Sequence, residues 1–523
     1  MLSTRWLHRE REMTLLLHDY LEESARQYPT KTAIVAGDER VSFGELNERA
    51  NRLAFTLSKS GTTRGDRVAI LGESSIEVVT AVWASLKANL VFMVVSRDVK
   101  VDKLSYILDD SGARVLIGSA RLLDALHGTL DDSPSGLTHV ISYGGVLRAP
   151  PQATLTRWTD ALSSAAMCPQ RTAIDQDLAS IVYTSGSTGE PKGVMLTHAN
   201  MLAAATSITT YLEAKDSDIV LCALPLAFDY GLYQVLMAAR VGATVILESG
   251  FTYPSAILDT IVREGVTAFP AVPTMFAILT QMRELEHDLS RVRYVTNTAA
   301  ALPVSHLEKI AEIFPNARIY SMYGLTECKR CTYLPPEDLF KKPTSVGIAI
   351  PNTELWIEDE HGRRLGAGQV GQLVIRGATV MRGYWRKPEA TAKRLRPGPL
   401  PGEQVLHTGD YARLDEDGYL YFVSRMDDII KSRGEKVAPR EVEDVLYALA
   451  GVREAAVIGV PDPVLGHAIK AFIVADMSHA YTAAIVIAHC KSRLEPFMVP
   501  KHVEFRDALP KTDTGKIKKS GLY

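Results

Sequence analysis

The segment IVYTSGSTGEPKGVMLTHANM, residues 181–201, gathers hydroxyls, glycines and a lysine into one short stretch. Thr184, Ser185, Ser187 and Thr188 supply donors, Gly186, Gly189 and Gly193 free the backbone, and Lys192 adds a positive charge. Such a loop suits a polyphosphate. It is not a Walker loop, because Lys192 precedes Gly193 and Val194 follows, whereas that motif reads G-x-x-x-x-G-K-[ST]. Composition alone also allows a polar surface loop. A second stretch, LCALPLAFDYGLYQVLMAARVGATVIL (221–247), is almost wholly apolar yet carries Asp229. A buried carboxylate must find a partner or take up a proton. Capping the helical pattern YGLYQVLMAAR would satisfy it, and so would an ammonium brought by a substrate.

The elements that must position these groups follow from periodicity. Between residues 32 and 330, short Val/Ile-rich runs (RVAIL, ARVLIG, DIVLCALP, ATVIL, RIYSMYG) alternate with longer helical patterns. That rhythm predicts an α/β fold of parallel sheets flanked by helices, which binds ligands beyond the strand ends. From 345 to 425 the pattern changes to short strands between Gly, Asp and Pro turns, a β-rich, mostly antiparallel part. The tail from 428 reads as a small α+β unit. The expected domains are 1–427 and 428–523.

At 523 residues the chain exceeds one ordinary core, and its net charge of −3 leaves no electrostatic footprint for nucleic acid. Five scattered cysteines fit a reducing, cytoplasmic setting better than a disulfide framework. Cys328 and Cys331 form one C-x-x-C, but no further ligand-spaced pair accompanies it, so free thiols are expected rather than zinc. The first residues read as an amphipathic helix, too acidic for a secretory signal. No apolar run is long enough to span a membrane.

Four stretches now carry a family resemblance. The 181–201 segment, YGLTE (323–327), TGDYARLDEDGYLYFVSRMDDIIKSRGEKVAPREVE (408–443) and LPKTDTGKIKK (509–519) resemble, in order, the motifs of the adenylate-forming superfamily. That superfamily includes acyl-CoA synthetases, aryl-CoA ligases and amino-acid adenylation domains. The resemblance implies ATP and Mg2+, an acyl-adenylate, and transfer of the acyl group to the thiol of CoA or of a phosphopantetheine arm. It assigns residues 184–188 and Lys192 to the phosphates, Tyr323 to adenine, Thr326 to the α-phosphate, Glu327 to magnesium, Asp410 to the ribose hydroxyls, and Arg425 to the ribose or a phosphate. Ser424 replaces the glycine usual before that arginine. Lys516 would bridge the acid and the α-phosphate. Asp427 matches a hinge about which a mobile C-terminal domain turns, bringing Lys431 and Gly434 to the thiol side.

The same resemblance places the acyl pocket around Asp229, Tyr230 and the VTNTAAALP stretch with Ala300. An aspartate after phenylalanine is similar to the ammonium-binding position of amino-acid adenylating domains, so an amine-bearing acid is expected beside the fatty- or aryl-acid alternative. Lys329 and Arg330, where many relatives carry small or apolar residues, are expected to be mainly exposed, with meeting an acidic group or lining the thiol tunnel as the alternatives. With the chain ending soon after Lys516, no fused carrier domain is expected, so the acceptor is free CoA or a separate acyl or peptidyl carrier protein. A non-catalytic adenylate-binding protein is the reading from another class.

Overall fold

The computed structural model describes residues 15–125, 136–145, 152–184, 191–282, 285–298, 304–432, 435–462, 465–476, 481–512 and 517–522. The chain folds as two compact units, one of residues 1–206 with 235–244, the other of 207–234 with 245–523.

In the first unit, a sheet runs in the order Lys192–Thr197, Leu178–Thr184, Val91–Ser96, Arg67–Gly72, Val115–Ser119, His139–Tyr143, Thr154–Arg157. Its strands pair in parallel except for the first two. Helix Ile76–Lys87 is buried along almost its whole length, as its continuous apolar sequence requires, and Ser75 accepts the Val78 amide at its start. Helix Phe43–Lys59 opens on a capping box in which Ser42 and Glu45 satisfy each other's backbone amides.

The phosphate-type segment differs from a simple strand-to-helix loop. Leu178–Thr184 is followed by a second strand, Lys192–Thr197, in an antiparallel hairpin, and only then by helix His198–Tyr211. The run GVMLT has the apolar, β-prone character of a buried strand, which the polar residues before it obscured.

In the second unit, strands Ile219–Cys222, Ala268–Ala271, Tyr294–Asn297 and Arg318–Tyr323 lie side by side in parallel. Thr332–Leu334 and Ile348–Ala349 extend this sheet antiparallel. The β-rich part is a five-stranded antiparallel sheet of Thr353–Glu358, Gly371–Gly377, Gln404–Leu414, Leu395–Pro397 and Leu420–Arg425. Towards the C-terminus, long strands Val452–Asp462 and Gly466–Ala475 form an antiparallel pair. One face packs with helices Pro439–Tyr447 and Ala483–Lys491 through Val442, Leu446, Val486 and Cys490; the other gathers Phe472, Leu509 and Leu522. The mixed α/β architecture is the one the alternation predicts. Among the described residues, no helix is long and apolar enough to cross a membrane.

At the end of the hairpin, His198 is buried and accepts the Leu17 amide on Nδ1 at 3.1 Å. Burial pushes its pKa down to about 4. The unfolded chain therefore takes up this proton near its ordinary value while the folded chain resists it, so stability falls as pH drops from about 6.5 towards 4. The loss approaches about 1.4 kcal/mol per pH unit for this one group. Denaturant melts across that window check it: the slope should be smaller in His198→Asn than in the parent, and equal slopes would assign the acid sensitivity elsewhere.

Candidate functional site

The four parallel strands of the second unit end at one edge of their sheet, where open α/β sheets present ligand-binding loops. The chain leaving strand Arg318–Tyr323 turns back at once. The Cys331 amide donates to the Tyr323 carbonyl at 2.9 Å and the Cys328 amide to the Leu325 carbonyl at 3.1 Å, closing residues 323–331 into a tight loop. Gly324 makes the closure possible, since a Cβ there would lie 1.8 Å from the Lys329 carbonyl oxygen. Lys329 itself has a left-handed backbone with φ of 63°, which few residues other than glycine and asparagine adopt without cost.

On one side of this loop sits a polar group built from three segments. The Tyr323 hydroxyl donates to the Asp410 carboxylate, and Arg425 Nε lies 3.2 Å from the other Asp410 oxygen. Asp410 and Arg425 face each other across adjacent antiparallel strands, Gln404–Leu414 and Leu420–Arg425. Asp410 is almost fully buried. Burial, with Asp410 second, raises the Tyr323 pKa well above that of an ordinary phenol, keeping the hydroxyl a donor. Thr326 and Glu327 lie half-buried in the turn. Glu327 accepts from the Tyr384 hydroxyl at 2.7 Å, and its carbonyl accepts the Met381 amide at 2.7 Å. Sequence reasoning missed Tyr384; the aromatic cluster GYW at 383–385 was the available signal.

On the other side the loop meets the helix Asp229–Val241. The Phe228 carbonyl accepts the Leu232 amide at 3.0 Å, so Asp229 lies inside the first turn rather than at the cap position. Its carboxylate there favours the helix dipole and faces Lys329 Nζ at 3.9 Å. Tyr230 is buried, and its hydroxyl is engaged by Thr296, at 2.8 Å to the carbonyl and 2.6 Å to Oγ1. Two expectations are corrected. Lys329 is 2 % and Arg330 5 % exposed, so neither is a solvated surface charge. Lys329 Nζ stands 5.4 Å from the Tyr233 ring centre, and Arg330 Cζ 4.5 Å from that of Tyr230, both within cation–π range. The aromatic faces on the helix and the closed loop accommodate long cationic stems that the sequence pattern gave no reason to bury. Burial lowers the Lys329 pKa, and Asp229 opposes that shift.

Cys328 and Cys331 are buried free thiols with Sγ atoms 3.0 Å apart. Burial, then Cys331, pushes the Cys328 thiol well up, away from the thiolate that zinc would need. No group of three metal-ligating side chains occurs among the described residues.

In the first unit, Thr184 pairs with Lys192 across the hairpin, and Thr184 Oγ1 donates to the Lys192 carbonyl at 3.5 Å. Ser185, Gly186, Ser187 and Thr188 between them lie outside the described residues, as do Ala300, Gly434 and Lys516. Lys431 lies on strand Ile430–Ser432 and Asp427 in the turn Met426–Asp428; only their backbones are described. A cavity of about 330 Å³ in this unit is lined by His18, Glu22, Lys87, Cys168 and Arg171. Its cations are engaged internally, Lys87 with Glu22 at 2.5 Å and Arg171 with Glu22 at 3.5 Å.

The loop closure yields a direct test. Gly324→Ala forces a methyl into the Lys329 carbonyl and should cost about 1–3 kcal/mol, the usual range for overpacking. Gly366→Ala, where the nearest atom to an added Cβ is the Gln369 side chain at 3.8 Å, should be near neutral. Urea melts of the two proteins decide it; equal midpoints would mean that the loop yields easily.

The AMP-binding enzyme family profile matches residues 21–385, and that of the AMP-binding enzyme C-terminal domain matches 441–516. A feruloyl-CoA synthase from Amycolatopsis sp is 34 % identical over 499 residues, covering 95 % of this chain and 96 % of the relative. ATP-bound MatB from Rhodopseudomonas palustris superposes with a TM-score of 0.86 at 28 % identity, over 97 % of this chain and 98 % of that one. The anthranilate CoA ligase AuaEII in complex with anthranoyl-AMP gives 0.87 at 28 % identity, over 97 % and 96 %. The chain belongs to the adenylate-forming AMP-binding enzyme family and is an acid–thiol ligase.

Proposed function

We propose that this protein joins a small carboxylic acid to CoA in two steps at the edge of the second unit's parallel sheet. The acid's carboxylate attacks the α-phosphorus of ATP and pyrophosphate leaves, giving an acyl-adenylate. The CoA thiol then attacks the acyl carbonyl, AMP leaves, and the thiol proton passes to solvent. The observation that supports this most is the closed 323–331 loop, in which Glu327 meets Tyr384 while Lys329 and Arg330 lie over the Tyr233 and Tyr230 rings.

The residues act by position and charge. Two anions must be brought together, and cationic groups that offset their repulsion lower the barrier. Lys192 and the hydroxyls of 184–188 receive the phosphates. Asp410, fixed by Tyr323 and Arg425, accepts from the ribose hydroxyls, and Tyr323 offers its ring to adenine. Glu327, oriented by Tyr384, fits Mg2+, which is commonly held by one or two carboxylates together with substrate phosphates. Bound there, the ion supplies charge neutralisation on the phosphates. The segment 428–523 acts as a mobile domain turning at Asp427; Lys516 serves the first step, and Lys431 with Gly434 serves the second.

The CoA-ligase relatives favour CoA over a carrier protein's phosphopantetheine. For the acid, Asp229 offers an ammonium partner, as in amine-bearing substrates, but Lys329 already faces the same carboxylate. Pyrophosphate exchange into ATP across fatty, aryl, amino and dicarboxylic acids, followed by transfer to CoA or to a phosphopantetheinylated carrier, tests the reading. Lys516→Ala should lose exchange by at least about 100-fold, the order expected for a group acting on the developing charge. Thioester formation from supplied acyl-adenylate should stay within a few-fold. Equal loss in both half-reactions would remove Lys516 from the proposed role.

A further inference from the structure

Lys329 is a long cationic side chain 2 % exposed, and its Nζ makes no hydrogen bond among the described residues. Asp229 at 3.9 Å lies beyond hydrogen-bonding distance. Arg330 beside it is 5 % exposed, and its Nε likewise finds no acceptor among the described residues. Burying a charge without a hydrogen-bonding partner is expensive. Glu327, the remaining carboxylate of the loop, is engaged by Tyr384. Lys329 thus stands within ion-pair range of one carboxylate without hydrogen-bonding it, and the chain holds it there at the cost of a left-handed backbone locked against Gly324.

We infer that the missing partner arrives with the substrate: the acid carries a second carboxylate that Lys329 receives with Arg330 alongside, so the enzyme prefers dicarboxylic acids. The inference rests on the ligase reading above and narrows its substrate. Asp229 then acts as the group that keeps Lys329 in place between turnovers, an ion pair at 3.9 Å without a hydrogen bond. A substrate carboxylate completes the set of acceptors with charge-assisted hydrogen bonds. An ammonium-bearing acid would instead approach Asp229 against the Lys329 charge.

Chain-matched pairs give the test: succinate, glutarate and adipate against butyrate, valerate and hexanoate, with β-alanine and γ-aminobutyrate as the amine-bearing acids. AMP formation with ATP, Mg2+ and CoA is measured as kcat/KM on the full-length enzyme. At least one diacid should exceed its matched monoacid by about 30-fold or more, as truncating one partner of a buried charge pair typically does. In Lys329→Met and Lys329→Gln that ratio should collapse towards one. Because both acids are read on the same protein, a folding defect in either variant cancels in the ratio. Monoacids or amino acids preferred by the parent enzyme, or a diacid preference that persists in both variants, would overturn the inference and leave Lys329 as an internal partner of Asp229. AMP formation with none of these acids, nor with any aryl or fatty acid, would overturn the ligase reading itself.

Discussion

The contact on which the site depends is the approach of the Gly324 Cα to the Lys329 carbonyl. With no room for a methyl between them, the chain reverses within a few residues of a parallel strand's end and returns antiparallel as Thr332–Leu334. Everything polar in the loop takes its direction from that reversal. Tyr323 meets Asp410 and Glu327 meets Tyr384, while Lys329 and Arg330 lie against the aromatic rings of the Asp229 helix. A looser turn could carry the same residues but would not separate their charges into two compartments.

Much of this was legible in the sequence for definite reasons. Parallel strands announce themselves as short Val/Ile-rich runs between helical patterns, and of the four that support the loop Ile219–Cys222 and Arg318–Tyr323 came from such runs, whereas Ala268–Ala271 and Tyr294–Asn297 did not. Tyr323, Glu327, Asp410 and Arg425 were picked out through their motifs. The structure adds that Tyr323, Asp410 and Arg425 form one connected group. What periodicity could not show was burial against expectation. Lysine and arginine in a polar-looking run read as solvated by default, and only the placement of Tyr230 and Tyr233 one helical turn apart shows why CKRC faces inward. The second strand of the phosphate-type hairpin was likewise hidden, because glycine and lysine at its start masked the apolar residues behind them.

The two flanks differ in how tightly their charges are closed. Asp410 is met by a hydroxyl and a guanidinium, so it is set before any ligand arrives. Asp229 and Lys329 stay at 3.9 Å, beyond hydrogen-bonding distance, and the buried Lys329 Nζ is left without a hydrogen-bond partner among the described residues. Preorganisation of the first kind suits a nucleotide common to every reaction of the family, whereas an incomplete set of partners suits the group that changes from one acid to the next.

The left-handed backbone at Lys329 also limits what mutation can do there. Valine, isoleucine and threonine at this position would clash with their own backbone, and proline is excluded by its fixed φ. Accessible changes are mainly to unbranched residues or to glycine, asparagine and aspartate. The position proposed to receive the variable end of the acid can therefore change charge and length readily but shape only narrowly, so natural or designed shifts in acid preference at this loop would run along an electrostatic axis before a steric one.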